Sequence, residues 1–160
     1  MSERQDTLQI RPASAADYEE LRNLFFHLIP DDLPLDDQIG REKLKAMLAH
    51  PGLTTLIGSL GNDAVSTCTL VVMPNFTRAG APYALIENVV THGDHRGKGF
   101  GQTLLQAAFE LAWKQDCYKI MLMTGAANTG AQKFYRKVGF KSTKTGFELR
   151  APGYPSRKIT

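Results

Sequence analysis

Apolar side chains recur along this chain with two different periods, and their order outlines the fold. Short apolar runs bounded by turn residues predict strands over residues 7–11, 53–60, 64–72 and 83–91. Helical spacing predicts four helices, which begin after Ser14, near Ile39, near Gly99 and near Thr129. Ser14 opens a capping box for the first helix, and Pro30 stops it. For the last helix, a capping box that begins at Thr129 and a cap at Asn128 are alternatives, and Gly139 ends it.

The connections between these elements indicate how the strands pair. Gly61-Asn62-Asp63 is typical of a hairpin turn, so the strands on either side are expected to run antiparallel. The nearly continuous apolar stretch 118–124 predicts a central strand, and the helix before it provides a right-handed crossover to a parallel partner. Residues 140–149 are expected to supply a final strand. The pattern predicts one α/β (α+β) domain over residues 1–160, with a mixed, mostly antiparallel sheet.

The stretch from Glu87 to Gly101 carries the most specific chemical signal. A β-branched strand ends there in a loop that contains Gly97, Gly99 and Gly101, and the loop opens directly onto a helix. Glycine lets the backbone approach a ligand closely, and the first N–H groups of a helix lack partners and carry the positive end of its dipole. The pattern favours a phosphate or pyrophosphate site. On these glycines alone, a plain tight turn is the alternative.

Two common phosphate motifs do not fit this loop. A Walker loop needs a hydroxyl residue after its lysine, whereas Lys98 is followed by Gly99. A Rossmann fingerprint needs Gly-x-Gly-x-x-Gly after the first strand, whereas these glycines are spaced two and two, and several strands precede them. The segment Arg96-Gly97-Lys98-Gly99-Phe100-Gly101 instead follows the pattern Arg/Gln-x-x-Gly-x-Gly/Ala.

That pattern resembles the acyl-CoA loop of the GCN5-related N-acetyltransferases, the GNAT superfamily. The resemblance continues through Cys117-Tyr118-Lys119-Ile120, Asn128 and residues 134–140, and residues 74–78 and 86–90 are similar to a bacterial, small-molecule subgroup. It implies the GNAT acyl-CoA N-acyltransferase fold, whose mixed sheet carries helices on both faces and splays apart where CoA binds. It also implies an acetyl-CoA-dependent N-acetyltransferase that acts on a primary amine of a small molecule by direct transfer in a ternary complex.

The resemblance also assigns a cofactor site. Backbone amides of the glycine loop, with Gln102 next, would hold the CoA pyrophosphate. Residues 89–91 would pair with the pantetheine arm as if it were an added strand, with a backbone N–H near Val89 facing the thioester oxygen. The expected cofactor-binding residues are Val89, Val90, Thr91, Arg96, Gly97, Lys98, Gly99, Phe100, Gly101, Gln102, Asn128, Phe134 and Tyr135.

Glu87 and Tyr135 are the candidate catalytic residues. A carboxylate in a mostly apolar strand is costly unless it is paired or functional, and the family often places a general base near this position. Glu87 could instead bond to main chain or face solvent. By resemblance, the hydroxyl of Tyr135 points at the CoA sulfur and protonates the departing thiolate. Helical spacing would also explain Tyr135, and Phe134 beside it, as core residues. His92 and His95 flank the loop but are left out of catalysis.

The composition excludes several other classes of protein. Hydrophobic residues make up 42% and charged residues 22% of the chain, without a membrane-length apolar run or a signal-peptide layout. The Cys and His residues have no metal-ligand spacing, and no nucleic-acid motif is present. The sequence therefore predicts a cytoplasmic protein without metal, membrane or nucleic-acid partners. Cys68 and Cys117 are expected to be buried, reduced thiols.

The identity of the acceptor is left open by the sequence. Residues 1–40 contain nine acidic and three basic side chains, and an acidic linker, Asp31, Asp32, Asp36 and Asp37, would favour a cationic small amine if it borders the acceptor groove. The segment 117–120 also resembles the glucosamine-6-phosphate acetyltransferase branch, for which Arg78 could serve an anionic acceptor. Two other hypotheses are a protein or peptide N-acetyltransferase and a non-catalytic acyl-CoA-binding sensor module. A homodimer is compatible with the family resemblance.

Overall fold

The computed structural model describes residues 7–154, and the chain divides into two compact units between Met121 and Leu122. The first unit contains strands β1 (Gln9–Pro12), β2 (Leu53–Leu60), β3 (Asp63–Met73), β4 (Tyr83–Thr91) and β5 (Ile120–Met121). It also contains helices α1 (Tyr18–Leu28), α2 (Asp37–Ala49) and α3 (Phe100–Trp113). The second unit contains helix α4 (Thr129–Val138). The expectation of one domain over residues 1–160 stays a prediction.

The five strands form one sheet in the order β1-β2-β3-β4-β5. Neighbouring strands are antiparallel from β1 to β4, and β4 pairs with β5 in parallel. The mixed, mostly antiparallel sheet predicted from the sequence is therefore confirmed, as is the crossover helix α3 between its two parallel strands.

Helices cover the sheet on both faces. Tyr18 and Leu21 of α1 pack with Leu44 of α2 and Ile57 of β2 in one hydrophobic cluster. The six consecutive residues from 65 to 70 of β3 are all buried, which an alternating strand achieves only when both of its faces are covered. Helix α3 packs against β2, β3 and β4, and its buried face consists of Leu104, Leu105, Ala108 and Ala112.

Strand β4 contains a β-bulge. Glu87 pairs with Thr69 and Val90 pairs with Thr67, so two residues of β4 lie opposite a single residue of β3. Asn88, the first residue of the bulge, has a φ of 53°, a left-handed conformation that asparagine tolerates better than most residues. The extra residue places Glu87 and Val90 on the same face of the sheet, although three positions separate them.

The strand predicted over residues 118–124 is much shorter and lies elsewhere in the sheet. Only Ile120 and Met121 pair with β4, opposite Ala84 and Leu85, and β5 is an edge strand rather than a central one. A bulge bends its strand and increases the local twist, so the bulge of β4 explains why the ladder ends before it. Met123 is 65% exposed, in contrast to the covered position that the apolar run predicted.

In the second unit, α4 begins and ends at two of the residues expected from the sequence. Of the two candidate caps, Asn128 is the one used, and its side-chain oxygen accepts a hydrogen bond from the Ala131 N–H at 3.0 Å. Gly139, with a φ of 114°, ends the helix. The strand predicted over residues 140–149 is wrong: residues 141–149 are irregular and exposed. The described part of this unit contains no other strand to pair with it.

Asp17 joins β1 to the start of α1. The side chain is 9% exposed, and its carboxylate accepts two hydrogen bonds from Arg11, at 2.8 and 2.6 Å, and one from the Ser14 N–H at 2.7 Å. These bonds, above all those from Arg11, hold the pKa of Asp17 far below its usual range. The predicted capping box of Ser14 and Asp17 is present.

We expect Asp17→Asn to lower the free energy of unfolding at pH 7 by about 2 kcal/mol, because hydrogen bonds to a charged group are lost. The loss is not larger because the Arg11 side chain is half exposed, and solvent weakens its ion pair with Asp17. A carboxylate whose pKa is depressed by folding stabilises the protein above its unfolded pKa, near 3.9, and loses that contribution as the pH falls through its folded pKa. Urea denaturation should therefore show the two proteins converging below about pH 4. Glu110→Gln, an exposed carboxylate on α3, serves as the control. An equal deficit of Asp17→Asn at pH 7 and at pH 3 would contradict the assignment.

Two further sequence predictions concern the cysteines and the bilayer. Cys68 and Cys117 are both buried and both reduced, as predicted. Burial raises the pKa of the Cys68 thiol to about 12, so it is not a reactive thiolate at neutral pH. Within residues 7–154, no helix combines the length and the apolar character needed to cross a membrane.

Candidate active site

The loop between β4 and α3 presents an uninterrupted row of backbone donors. In the part of the chain that the structure describes, none of the N–H groups from Gly97 to Gln102 donates a hydrogen bond to another backbone or side-chain group. The first helical hydrogen bond in this region runs from the Thr103 N–H to the Gly99 carbonyl, at 3.0 Å. Such a row at a helix N-terminus suits an anion with several oxygens, such as a pyrophosphate.

Gly97 and Gly99 give the loop this shape. Their φ angles are 77° and 87°, in the left-handed region that other residues rarely adopt. A Cβ built at either position meets nothing within 4 Å, so the backbone conformation, and not lack of space, requires glycine.

If the loop holds the pyrophosphate of acetyl-CoA, as the sequence resemblance implies, we expect Gly99→Ala to weaken acetyl-CoA binding roughly 10-fold, because alanine disfavours the left-handed conformation by about 1–2 kcal/mol and the loop will relax away from it. Gly61→Ala is a matched control, because Gly61 has a φ of 57° in the β2–β3 turn and equally open surroundings. Isothermal titration with acetyl-CoA should show a weaker Kd only for Gly99→Ala. Equal binding by both variants would contradict a phosphate role for the loop.

The side chain of Arg96 connects the start of the loop to β4 and to α1 by hydrogen bonds. Its guanidinium donates to the Thr91 carbonyl at 3.1 Å and to the His27 carbonyl, at the end of α1, at 3.2 Å. The sequence pattern suggested a contact through the Arg96 backbone amide. The structure adds a side-chain role, which is to tie the loop to the end of β4 and to α1.

Three histidines pack beneath the loop. The ring centroids of His27 and His92 are 3.9 Å apart, and those of His92 and His95 are 5.7 Å apart. The ring centroid of His95 lies 6.1 Å from that of Phe100. The His92 Nδ1 accepts a hydrogen bond from the Asp94 N–H at 3.3 Å. Burial, followed by the nearby His92 and Arg96, lowers the pKa of His27. The three rings therefore pack against one another beside the loop, and the exclusion of His92 and His95 from catalysis stays a prediction.

Strand β4 leads from Glu87 to this loop along an open edge of the sheet. Its pairing with β5 stops at Leu85, so the backbone from Glu87 to Thr91 pairs only with β3 among the described strands. An unpaired stretch of strand accepts an extended chain through main-chain hydrogen bonds. The bulge at Asn88 lies at the beginning of this stretch and changes the direction of the backbone groups there.

Glu87 is partly buried beside the bulge. Among the described residues it has neither a hydrogen bond nor an ion pair, and burial raises the pKa of its carboxyl. A carboxylate with a raised pKa is a stronger base than an exposed one.

Three residues of the predicted site lie in the second unit. The Asn128 side-chain oxygen caps α4, which leaves its amide N–H groups as the donors available to a ligand. Tyr135 is partly buried, and its ring lies 5.3 Å from Phe134 and 6.0 Å from Phe140. The placement of Asn128, Phe134 and Tyr135 in the site stays a prediction.

The charged residues proposed to select the acceptor mostly have structural partners. Asp36 caps α2 through the N–H groups of Gln38 and Ile39, and Asp37 pairs with Arg22 at 3.2 Å. Arg78 lies before β4, with its guanidinium 5.7 Å from the centre of the Tyr118 ring. Neither set requires a ligand to explain its position.

Comparison with known proteins identifies the family. Residues 16–140 match the model of the acetyltransferase (GNAT) family. The chain belongs to this family. A GNAT fold is expected to carry a mixed sheet between helices, and the described sheet and helices conform to that expectation. The family and its acetyltransferase class, which the sequence predicted, are confirmed.

Individual relatives of this GNAT chain include enzymes for amino sugars. It is 33% identical over 85 residues to a glucosamine 6-phosphate N-acetyltransferase of Trypanosoma brucei brucei, covering 53% of this chain and 56% of that protein. It is 30% identical over 98 residues to a protein of the same name from Schizosaccharomyces pombe, covering 61% and 82%. A solved structure of a candidate acetyltransferase from Agrobacterium tumefaciens str. C58 is 42% identical, covers 89% of this chain and 99% of its own, and superposes with a TM-score of 0.87.

The structure adds residues that the GNAT pattern did not single out. His27 reaches the loop from α1, and no motif in the sequence marks it, because the contact joins positions 65 residues apart. The hydroxyls of Thr55 on β2 and of Thr69 on β3, the strand next to that of Glu87, are buried without hydrogen-bond partners in the described part of the chain. A threonine in a strand is ordinary, so only the pairing register draws attention to these two.

Within residues 7–154, no group of three or more His, Cys, Asp or Glu side chains is placed to hold a metal ion.

Proposed function

We propose that this GNAT member transfers an acetyl group from acetyl-CoA to the primary amine of a small molecule, by direct attack in a ternary complex. Two observations carry the proposal. The N–H groups from Gly97 to Gln102 form a row without hydrogen bonds among the described residues, and the stretch of β4 from Glu87 to Thr91, which precedes this loop, pairs there only with β3. The first feature suits a pyrophosphate, and the second suits an extended amide-containing arm. Acetyl-CoA contains both groups in that order.

The cofactor contacts follow from this placement. Lys98, Gly99, Phe100 and their neighbours would bind the pyrophosphate through the backbone, and Lys98 would add a positive charge. Val89, Val90 and Thr91 would pair with the pantetheine arm. The backbone N–H near Val89, beside the bulge, would stabilise the negative charge that develops on the thioester oxygen. Asn128 and Phe134 complete the proposed set from the second unit.

Glu87 is the proposed general base. An alkyl amine has a pKa near 10.4 and is almost entirely protonated at neutral pH, so a proton must leave it before attack. The carboxylate of Glu87 takes this proton, directly or through water. The amine nitrogen then bonds to the thioester carbonyl carbon, and the carbon–sulfur bond breaks as the tetrahedral intermediate collapses. Tyr135 is the proposed general acid, which gives its hydroxyl proton to the departing thiolate. The nitrogen of the intermediate loses its second proton, which returns to Tyr135 directly or through water, so that the products are the amide and the free CoA thiol.

The acceptor is proposed to be a small molecule, and amino sugars are the first class to test. The two relatives named above as glucosamine 6-phosphate N-acetyltransferases support this choice. Since Asp36 and Asp37 have structural partners, a cationic polyamine has less support from the acidic linker than the sequence suggested. Peptide acetylation and acyl-CoA sensing are the competing hypotheses.

The test is acceptor-dependent release of free CoA thiol from acetyl-CoA, followed with a thiol reagent and confirmed by mass spectrometry of the product. The panel contains glucosamine, glucosamine 6-phosphate, an aminoglycoside, spermidine and short peptides. We expect turnover with at least one small amine and none with the peptides. Turnover confined to peptides would refute the small-molecule assignment. Tight acetyl-CoA binding without turnover across the panel would favour the sensor hypothesis.

A further inference from the structure

Three polar side chains lie side by side across one face of the sheet. Thr55 of β2 pairs with Thr69 of β3, and Thr69 pairs with Glu87 of β4. Directly paired residues of antiparallel strands project to the same face, with Cβ atoms about 5 Å apart. Ile57 lies two positions from Thr55 and therefore projects to the same face of the sheet. Because Ile57 packs against Tyr18 and Leu21 of α1, this is the face that α1 covers. The row runs from the proposed base toward β2, beneath α1.

Each member of the row lacks a hydrogen bond that its chemistry requires. Thr55 and Thr69 are 1% and 3% exposed, and neither hydroxyl has a partner among the described residues. Glu87 also has no donor there, and only burial is found to raise its pKa. A buried hydroxyl without an acceptor and a carboxylate without a donor therefore occupy directly paired positions.

Neither the three strands nor the helix packed on this face of β4 places an unpaired cation beside Glu87 among the described residues. Strands β2, β3 and β4 contain no Lys, Arg or His. Helix α1, which packs on β3 and β4, carries Arg22 and His27, but Arg22 pairs with Asp37 and the ring of His27 stacks on His92. The remaining charged groups of α1 are acids, and α3 covers the opposite face.

We propose that Thr69 is a positioning residue for Glu87, whose ionised carboxylate accepts a hydrogen bond from the Thr69 hydroxyl, while the Thr55 hydroxyl donates in turn to the Thr69 oxygen. Rotation about the side-chain torsions of neighbouring paired residues, or one intervening water, closes each contact. A carboxylate held through one oxygen presents the other to the acceptor amine. No bond is made or broken in this arrangement, and the proton of the amine still ends on Glu87.

The proposal rests on the proposed function for its catalytic meaning, but the hydrogen bond itself can be measured without an acceptor. Carbon-13 NMR of protein with labelled glutamate carboxyls follows the titration of Glu87, whose signal is identified by its absence in Glu87→Gln. Because a hydrogen bond to the charged form lowers a carboxyl pKa, Thr69→Val should raise the pKa of Glu87 by roughly half a unit or more. Thr69→Ser, which keeps the hydroxyl, should leave it near the wild-type value.

Ser66→Ala is the matched control. Ser66 lies on the same strand, is fully buried, and likewise has a hydroxyl without a partner among the described residues, but it projects to the opposite face. Its loss should not change the titration of Glu87. Valine has nearly the shape of threonine and suits a strand, so Thr69→Val is expected to fold. An unchanged Glu87 pKa in folded Thr69→Val overturns the proposal.

Kinetics with an acceptor from the panel provide the second arm. Thr69→Val should lower kcat about 3- to 10-fold with the KM for acetyl-CoA unchanged, and Thr69→Ser should recover most of the loss. In a Glu87→Gln background, Thr69→Val should cost nothing further, because the group it positions is gone. An equal loss in both backgrounds would overturn positioning through Glu87. Full activity of Glu87→Gln would refute the base role in the proposed function, and the NMR result would still decide the hydrogen bond.

Discussion

Replacing Glu87 with glutamine is expected to lower kcat about 100- to 1000-fold, because the variant keeps the shape of the side chain but cannot accept the proton of the amine. In the wild-type enzyme, the rate should fall as the pH drops through the pKa of Glu87, which burial places above the ordinary value. Below that pKa the carboxyl is protonated and cannot act as a base. In Glu87→Gln this acidic limb should disappear, and the residual rate should rise with pH toward the pKa of the acceptor amine.

The measurement is a pH profile of kcat with saturating acetyl-CoA and an acceptor from the panel. Glu42→Gln, an exposed carboxylate on α2, is the control and should match the wild type at every pH. If Glu87→Gln retains the acidic limb of the wild-type profile, a group other than Glu87 accepts the proton of the amine. A variant with weaker acetyl-CoA binding and unchanged kcat would place Glu87 in the binding of the cofactor instead.

Replacing Tyr135 with phenylalanine is expected to lower kcat about 100-fold, with little change in acetyl-CoA affinity, because only the proposed proton donor for the CoA thiolate is removed. The ring, which packs near Phe134 and Phe140, is retained. The losses of activity in Tyr135→Phe and in Glu87→Gln should also depend differently on the acidity of the leaving thiol. A thioester whose thiol is more acidic needs less protonation, so it should recover part of the activity of Tyr135→Phe but not that of Glu87→Gln.

Tyr154→Phe, at an exposed tyrosine of the second unit, is the control for this measurement and should be fully active. Thermal unfolding of Tyr135→Phe should resemble that of the wild type. Wild-type kcat in Tyr135→Phe would assign Tyr135 to packing, which is what its helical spacing alone predicts. A large loss of stability with normal kcat in the folded fraction would lead to the same conclusion.

The sequence predicted best those elements that short-range signals define. The bounds of β2 and β4 agree with the prediction to the residue, because Gly-rich or Pro-containing turns border both strands. The ends of α4 were also predicted, since Asn128 and Gly139 are residues with strong positional preferences. The glycine loop was recognised for the same reason, because two of its glycines adopt conformations that other residues avoid.

Features that depend on distant partners were missed. The apolar run 118–124 predicted a long strand, but strand length depends on how much of the neighbouring strand is free to pair, and the bulge of β4 limits that. Residues 140–149 alternate well enough for a strand, yet the described part of the second unit offers no strand beside them. The row from Thr55 to Glu87 requires the register of three strands, which no local pattern contains.

The bulge at Asn88 also limits how this protein can be made more stable. The left-handed backbone there costs on the order of 1 kcal/mol, and deleting one residue would restore a regular strand. The same deletion would leave Val90 and Thr91 opposite Thr67 and Ser66, and it would remove the change in backbone direction next to Glu87. Selection for stability alone would therefore remove the redirected backbone groups that the proposed function places at the thioester oxygen. Stability and activity are in conflict at this single residue, and engineering for thermal resistance is better directed to the turns and helix ends elsewhere.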